Sequence, residues 1–492
     1  MSNDANDQVG DGNDQEPAEQ ELENRGTNRS RTPNSEAFLK YIGSGWADPD
    51  SSLPVQAEVA KFAAGRRAAV ASHFAGKVLV FEAGAAKTRS NDTDYMYRAH
   101  SAFSHLTGWG SAAVPDSVLV IDARESAGSV ETTLYFRETA GRDSDEFFAN
   151  PAIGEFWVGA RPSLPQVAAL LGIETKSLRE WPAVRKALPD NDVLTVGAAD
   201  STKDDDALAE FVSELRFVKD SFELAEMRKA IAASVAGFEA VVRSLPRATE
   251  VARGERVVEG AFFTEARVHG NTLGYETIAA SGPHACTLHW IINNGEVRNG
   301  ELILVDAGVE VDSLYTADIT RTFPINGKFT DVQRKVYEAV REAADAAFAI
   351  AKPGVKFKEI HAAAMRVIAA KTAEWGLLPV SAEESLEQDK QYHRRWMVHG
   401  TSHHLGLDVH DCAQARRELY VEGELKPGMI FTIEPGLYFQ PDDMLVPAEL
   451  RGIGVRIEDD VLVTETGVEN LSAALPRDSY EVEAWMAGLL KG

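Results

Sequence analysis

Cysteine is almost missing from this chain: there are two, Cys286 and Cys412, far apart and in no CxxC pairing. That excludes a disulfide framework and a thiolate zinc site, and leaves both as ordinary buried or half-buried thiols. Long apolar runs are missing too, since none approaches the ~20 residues that a bilayer-crossing helix needs. Basic residues fall short of acidic ones, 50 against 76, for a formal net charge of -26. A body of that sign repels phosphate backbones and anionic lipid, so neither nucleic acid nor a membrane is an expected partner. The opening residues lack the basic segment and apolar run of a secretory signal and carry Asp4, Asp7, Asp11, Asp14 and Glu16 instead. The expected location is the cytoplasm.

Aliphatic side chains are nearly absent from residues 1 to about 35, which are rich in Asp, Glu, Asn, Gln and Gly. Such a segment buries too little surface to offset its ordering entropy and is expected to be a disordered acidic tail. The remainder of the 492 residues has room for two or three domains. From Pro54 the texture turns globular. An amphipathic helix is predicted over Val59 to Phe74, with strands at Val78 to Phe81, Ser117 to Ile121, Thr132 to Phe136 and Val193 to Gly197, and a helix around Gln166 to Leu171. This alternation predicts an α/β domain over residues 54–215.

Asp220 with Glu223 three positions later is a helix-start signature and marks the boundary of a second domain, 220–475. Two helices follow, then strands at Leu302 to Val305 and Tyr315 to Phe323 with Gly308 and Asp312 in the turn. Thr330 and Gln333 form a capping box, Val336, Val340 and Phe348 space a helix, Pro353-Gly354 breaks it, and a further helix runs through Ile360 to Ala370. Helices then strands, twice over, is a coarse internal duplication with no residue-level repeat.

The residues suited to chemistry lie in this second half. Asp306 ends an apolar strand and Asp318 lies on the next, so a hairpin brings both carboxylates to one edge. An ionised acid at the end of a buried strand must be paired, hydrogen-bonded or metal-bound; the plain alternative is an Asp capping the turn. Four of the twelve histidines, His399, His403, His404 and His410, fall within one short run. His399 and His403 have the i, i+4 spacing of zincin proteases, but Gly400 stands where the zincin Glu belongs, so that motif fails. Glu434 follows the apolar run Ile430 to Ile433, and Arg456 and Glu458 share a face of a strand over Gly454 to Asp460. Alone, either would read as an ordinary cross-sheet salt bridge. Four carboxylates and an imidazole together make a site of hard donors suited to Mn, Co, Fe or Zn pairs, for which hydrolysis is the natural reaction.

In order along the chain, Asp306-Ala307-Gly308, Asp318-Ile319-Thr320-Arg321-Thr322, His399-Gly400-Thr401-Ser402-His403, Glu434-Pro435-Gly436 and Gly454-Val455-Arg456-Ile457-Glu458-Asp459 resemble the motifs of the pita-bread metallopeptidases, family M24. With Leu405 to Asp411 and the large N-terminal domain, the chain resembles the Xaa-Pro aminopeptidase (aminopeptidase P) branch over roughly residues 55–475. The resemblance implies a creatinase-N-like α/β N-terminal domain and an α+β pita-bread catalytic domain. It implies two divalent metal ions, Mn(2+) first among Co(2+), Zn(2+) and Fe(2+), held by Asp306, Asp318, His403, Glu434 and Glu458. Asp306 and Asp318 would chelate one ion, Asp318, Glu434 and Glu458 would tie the pair together, and His403 would complete the shell of the second ion, leaving His404 out.

By the same resemblance His289, His399 and His410 contact substrate, with His289 and His410 near the developing oxyanion. Glu434 carries the proton to the leaving proline nitrogen, and Arg456 holds Glu458 or a neighbouring acid in place. The separation of Asp306 and Asp318 is one position longer than the family pattern, an insertion that a turn residue among Glu310 to Ser313 can absorb. The implied activity is release of the N-terminal residue from peptides with proline second, by a homo-oligomer. Prolidase, which takes dipeptides, is the alternative. Methionine aminopeptidase and creatinase fit the domain content and ligand set less well, and a metal-free binding protein on the same scaffold should have lost ligands.

Overall fold

The computed structural model describes residues 33, 35–91, 93–124, 130–197 and 203–491. The expected acidic tail lies outside the described residues except for Pro33 and Ser35. A five-stranded mixed sheet forms first, in the order Glu174–Ser177, Glu131–Phe136, Val118–Asp122, Val78–Glu82, Val193–Val196. Val78–Glu82 pairs antiparallel with Val118–Asp122 and parallel with Val193–Val196. Its side chains alternate between faces, so an unbroken apolar run must be covered on both sides. Leu79, Phe81, Leu119, Ile121 and Leu134 pack against Phe103, Leu106 and Val167 on one face. Val78, Val80, Val118, Val120 and Tyr135 meet Trp181 and Val184 on the other.

A short helix, Glu36–Ile42, capped by Ser35, precedes the predicted start of this domain. Phe38 and Trp46 meet Phe148 and Phe147 edge-on at 5.3 and 5.7 Å, and so hold the segment to the α/β body. Its apolar residues are too few to have shown periodicity.

Asp220 caps the helix Ser221–Ala248, accepting from the amides of Phe222 and Glu223 while the Glu223 carboxylate accepts from the Asp220 amide. This reciprocal cap contributes about 1 kcal/mol. Helices Ser221–Ala248 and Gly254–His269 precede a three-stranded sheet ordered Ile319–Pro324, Leu302–Ala307, Ile278–Ser281. Helices Asp331–Ile350 and Phe357–Glu374 precede a second, ordered Ile430–Ile433, Asp459–Val463, Val468–Asn470. The sheets are stitched at their middle: the Glu458 amide donates to the Thr320 carbonyl at 3.0 Å, and Thr322 Oγ1 to the Arg456 carbonyl at 3.0 Å.

Two strand expectations need correction. The strand predicted over Tyr315 to Phe323 begins at Ile319 and runs to Pro324. Before it the chain turns through Leu314 at φ 72° and touches Glu310 from Thr316 in an isolated bridge. The single strand predicted over Gly454 to Asp460 is two. Gly454–Arg456 pairs with Gly436–Tyr438 and Asp459–Val463 pairs with Ile430–Ile433, so the chain changes sheets at Ile457 and Glu458. A period-two pattern cannot show a change of partner, because both strands are buried throughout. Among the described residues, no helix is long and apolar enough to cross a membrane. Both thiols are buried, and burial pushes that of Cys286 up to about 12.

Candidate metal centre

Asp306 lies opposite Thr320 in the antiparallel pairing of Leu302–Ala307 with Ile319–Pro324. Asp318 precedes that strand and shares the Thr320 face at period two, so both carboxylates project to one side. Tyr275 Oη bridges them, 2.7 Å from Asp306 Oδ1 and 2.5 Å from Asp318 Oδ1. The connection between them therefore leaves the two acids together. Glu434 stands at the end of Ile430–Ile433, and Glu458 at the crossover between sheets. Thr320 Oγ1 donates to Glu458 Oε2 at 2.7 Å.

His403 Nε2 sits 3.2 Å from Asp318 Oδ2, 3.7 Å from Glu434 Oε1 and 3.9 Å from Glu458 Oε1. One donor atom from each of Asp318, His403 and Glu458 falls within a span of 4.8 Å. His399–His404 forms no helix, which matches the failure of the zincin motif. His404 turns the other way, buried with both ring nitrogens unpartnered, stacked on Phe357 at 4.4 Å and edge-on to Phe217 and Tyr420.

The electrostatics of this cluster call for a cation. Burial pushes Glu458 well above the usual carboxylate range, and the charges of Asp318, Glu434 and Asp306 push it further. Burial likewise raises Glu434 to about 7 although His403 and Arg456 pull it down. Asp306 is raised by burial against the pull of Arg456. Burial would depress His403, but the hydrogen bond and charge of Asp318 and the charge of Glu434 hold it at about 9. Acids this crowded cannot all ionise unless positive charge joins them. Oxygen donors with one imidazole suit divalent first-row metals, so the residues present fit the group. Asp318, His403 and Glu458 would thus hold a metal, with Asp306 and Glu434 lining the same cavity.

Arg456, 4% exposed, donates from Nη2 to Asp306 Oδ2, from Nε to Thr320 Oγ1 at 3.1 Å and from Nη1 to Tyr438 Oη at 3.1 Å. It holds Asp306 rather than Glu458. Tyr438 Oη also meets His399 Nε2 at 2.7 Å, while burial and then Arg456 lower His399 to about 3. A cavity of about 510 Å³ is lined by all nine residues singled out in the sequence: Asp306, Asp318, His403, Glu434, Glu458, His289, His399, His410 and Arg456. His289 and His410 are exposed, and the His410 ring packs edge-on to His403 at 4.5 Å. Ile278, Leu288, Ile291 and Val409 give the same cavity apolar walls.

Sequence reasoning missed Tyr275, Tyr438 and Asp460, whose Oδ2 accepts from the Asp318 amide at 3.3 Å. It also missed Thr320 as a partner of Glu458, which its period-two relation to Asp318 could have signalled.

Family models agree with this architecture. One described as metallopeptidase family M24 matches residues 225–465, and one described as the aminopeptidase P N-terminal domain matches residues 63–195. The chain is 48% identical over 466 residues to Xaa-Pro aminopeptidase 1 of Streptomyces coelicolor, covering 92% of this chain and 93% of that protein. The chain belongs to metallopeptidase family M24. Within the family it is also 32% identical to Xaa-Pro aminopeptidase of Escherichia coli, covering 87% of this chain and 97% of that one. The Escherichia coli aminopeptidase P structure with the inhibitor Pro-Leu superposes at a TM-score of 0.76 with 30% identity, covering 89% and 100% of the two chains. The pita-bread fold and a requirement for divalent metal follow from family membership.

Proposed function

We propose that this M24 family member is a metal-dependent aminopeptidase that releases the N-terminal residue from peptides with proline in second position. The observation that carries the reading is the convergence of Asp306, Asp318, His403, Glu434 and Glu458 on one cavity that His289 and His410 also line. The five would hold two divalent ions, manganese by preference, with cobalt, zinc or iron able to take the same donors. Bound there, the ions supply Lewis-acid polarisation of the scissile carbonyl and a water made nucleophilic at neutral pH.

The protein groups do the rest. Glu434, at the end of Ile430–Ile433 and lining the cavity, is suited to take a proton from the attacking water and return it to the departing nitrogen. His289 and His410, both exposed at the cavity, are placed to donate toward charge developing on the carbonyl oxygen. Ile278, Leu288, Ile291 and Val409 offer apolar contact to the substrate's side chains. Arg456 and Tyr275 hold Asp306 so that its side chain needs no rearrangement during turnover. The homo-oligomer implied by resemblance and a cytoplasmic location belong to the same reading.

The test feeds the manganese-loaded protein Ala-Pro-Ala, Ala-Pro and Ala-Ala-Ala. Cleavage of the first alone is expected. Cleavage of the dipeptide alone would make it a prolidase, and no cleavage of either proline substrate would refute the proposal.

A further inference from the structure

The loop that links His403 to His410 is tied to the catalytic half by Leu405 N to Ile430 O at 3.1 Å and Thr316 N to Gly406 O at 3.0 Å, and is held from outside that half as well. It closes on itself through Asp411 N to His404 O at 2.9 Å and Gly406 N to Asp408 O at 3.1 Å. Neither bond fixes where the loop sits. Arg98, which follows the five-stranded sheet's first strand and precedes the helix Ser101–Thr107, reaches across to it. Its Nη2 donates to the Leu407 carbonyl at 2.6 Å and lies 3.4 Å from Asp408 Oδ1. Its Nη1 donates to Ser101 Oγ at 3.0 Å, and Ser101 Oγ donates to Asp408 Oδ1 at 2.5 Å. Its Nε donates to Glu310 Oε2 at 2.6 Å.

One guanidinium thus grips two segments, the one that follows Asp306 and the one between His403 and His410. All three of its nitrogens are used, a fork geometry that an ammonium cannot reproduce. Arg216 and Lys219 seize the far end of the same loop through Asp408 and Asp411 at 2.8 to 3.2 Å, but both flank the catalytic half's own first helix. Among the described residues, Arg98 and Ser101 are the side chains of the α/β body that hydrogen-bond this loop.

We propose that Arg98 is a positioning residue for the peptidase reaction, fixing the loop Leu405 to Asp411 so that His410 faces the cavity. The inference rests on the peptidase reading above. It gives the N-terminal α/β body a part in turnover without placing any of its residues against substrate.

The experiment compares wild type, Arg98→Met, Arg98→Lys, His410→Ala and the Arg98→Met/His410→Ala double variant, each loaded with manganese. Arg179→Met serves as control, since Arg179 is 64% exposed and pairs with Glu146 inside the α/β body. Arg98→Met is expected to lower kcat/KM on Ala-Pro-Ala by about 10- to 100-fold through misplacement of His410, with metal content unchanged. Arg98→Lys recovers little. In the His410→Ala background, Arg98→Met costs less than about twofold further, because its effect passes through the missing imidazole. Amide hydrogen exchange over 404–411 rises in Arg98→Met and not in the control.

Activity of Arg98→Met within about twofold of wild type, or losses that multiply in the double variant, would overturn the proposal. If Arg98→Met does not fold, Ser101→Ala removes the hydroxyl that links Arg98 to Asp408 Oδ1 and carries the same outcomes with a smaller loss. An inactive wild type with faster loop exchange in Arg98→Met would refute the peptidase reading and leave the anchoring of the loop standing.

Discussion

Replacing Glu434 by Gln should stabilise the metal-free protein while ending turnover. The Glu434 side chain is 16% exposed, and burial raises it from 4.5 to about 7 against the pull of His403 and Arg456. Each pH unit between those values corresponds to about 1.4 kcal/mol, so holding the ionised side chain in the folded protein costs about 3 kcal/mol. The sign follows from the raised value: the folded chain binds this proton more tightly than the unfolded chain does. The cost is absent below pH 4.5, grows as pH rises, and is complete above about 7. Gln has the same shape and no charge, so it escapes the cost. Urea denaturation of metal-stripped proteins should therefore find Glu434→Gln more stable than wild type by about 3 kcal/mol at pH 8 and level with it near pH 4.5. Manganese should reverse the order, because the charged carboxylate is the better ligand. Turnover of Ala-Pro-Ala should fall by about 10²- to 10⁴-fold. Equal stability of the two stripped proteins at pH 8 would refute the reasoning.

Arg456→Met leaves Asp306 buried without its cation, so the stripped protein should lose about 3–5 kcal/mol of stability in the same assay, with part restored by metal. Glu255 is fully buried and accepts from Ser281 N, Trp290 Nε1 and Gly295 N at 2.6 to 2.9 Å while facing His284 Nδ1 at 2.8 Å. It braces the stretch that carries His289. Glu255→Leu should therefore cost about 1–3 kcal/mol for each stranded partner group, and a scanning-calorimetry midpoint unchanged from wild type would contradict that. His404→Phe removes two buried, unpartnered nitrogens among aromatic rings and should leave kcat/KM within about twofold, whereas His403→Ala should abolish it. Steady-state rates on both variants separate the adjacent histidines.

Much of the site could be read from the sequence because its ligands terminate regular elements. Asp306, Glu434 and the Asp220–Glu223 cap sit where apolar runs or helix periodicity stop, and such ends carry local signals. What escaped depends on contacts between distant segments. The chain's change of sheet at Ile457 and Glu458 leaves no trace in a run that is buried on both sides. Tyr275 lies in an irregular stretch, so nothing local marks its hydroxyl as the bridge between two acids. Arg98 and Leu407 are separated by 309 positions, and no spacing rule reaches that far.

Asp306, Asp318, His403, Glu434 and Glu458 together are proposed to hold a pair of ions. Crystals of manganese-loaded protein, measured on both sides of the manganese absorption edge, test this most directly. Two anomalous peaks, each within coordination distance of at least one of these five side chains and about 3.5 to 4 Å apart, are expected. No peak in the cavity, or peaks confined to surface carboxylates, would contradict the account.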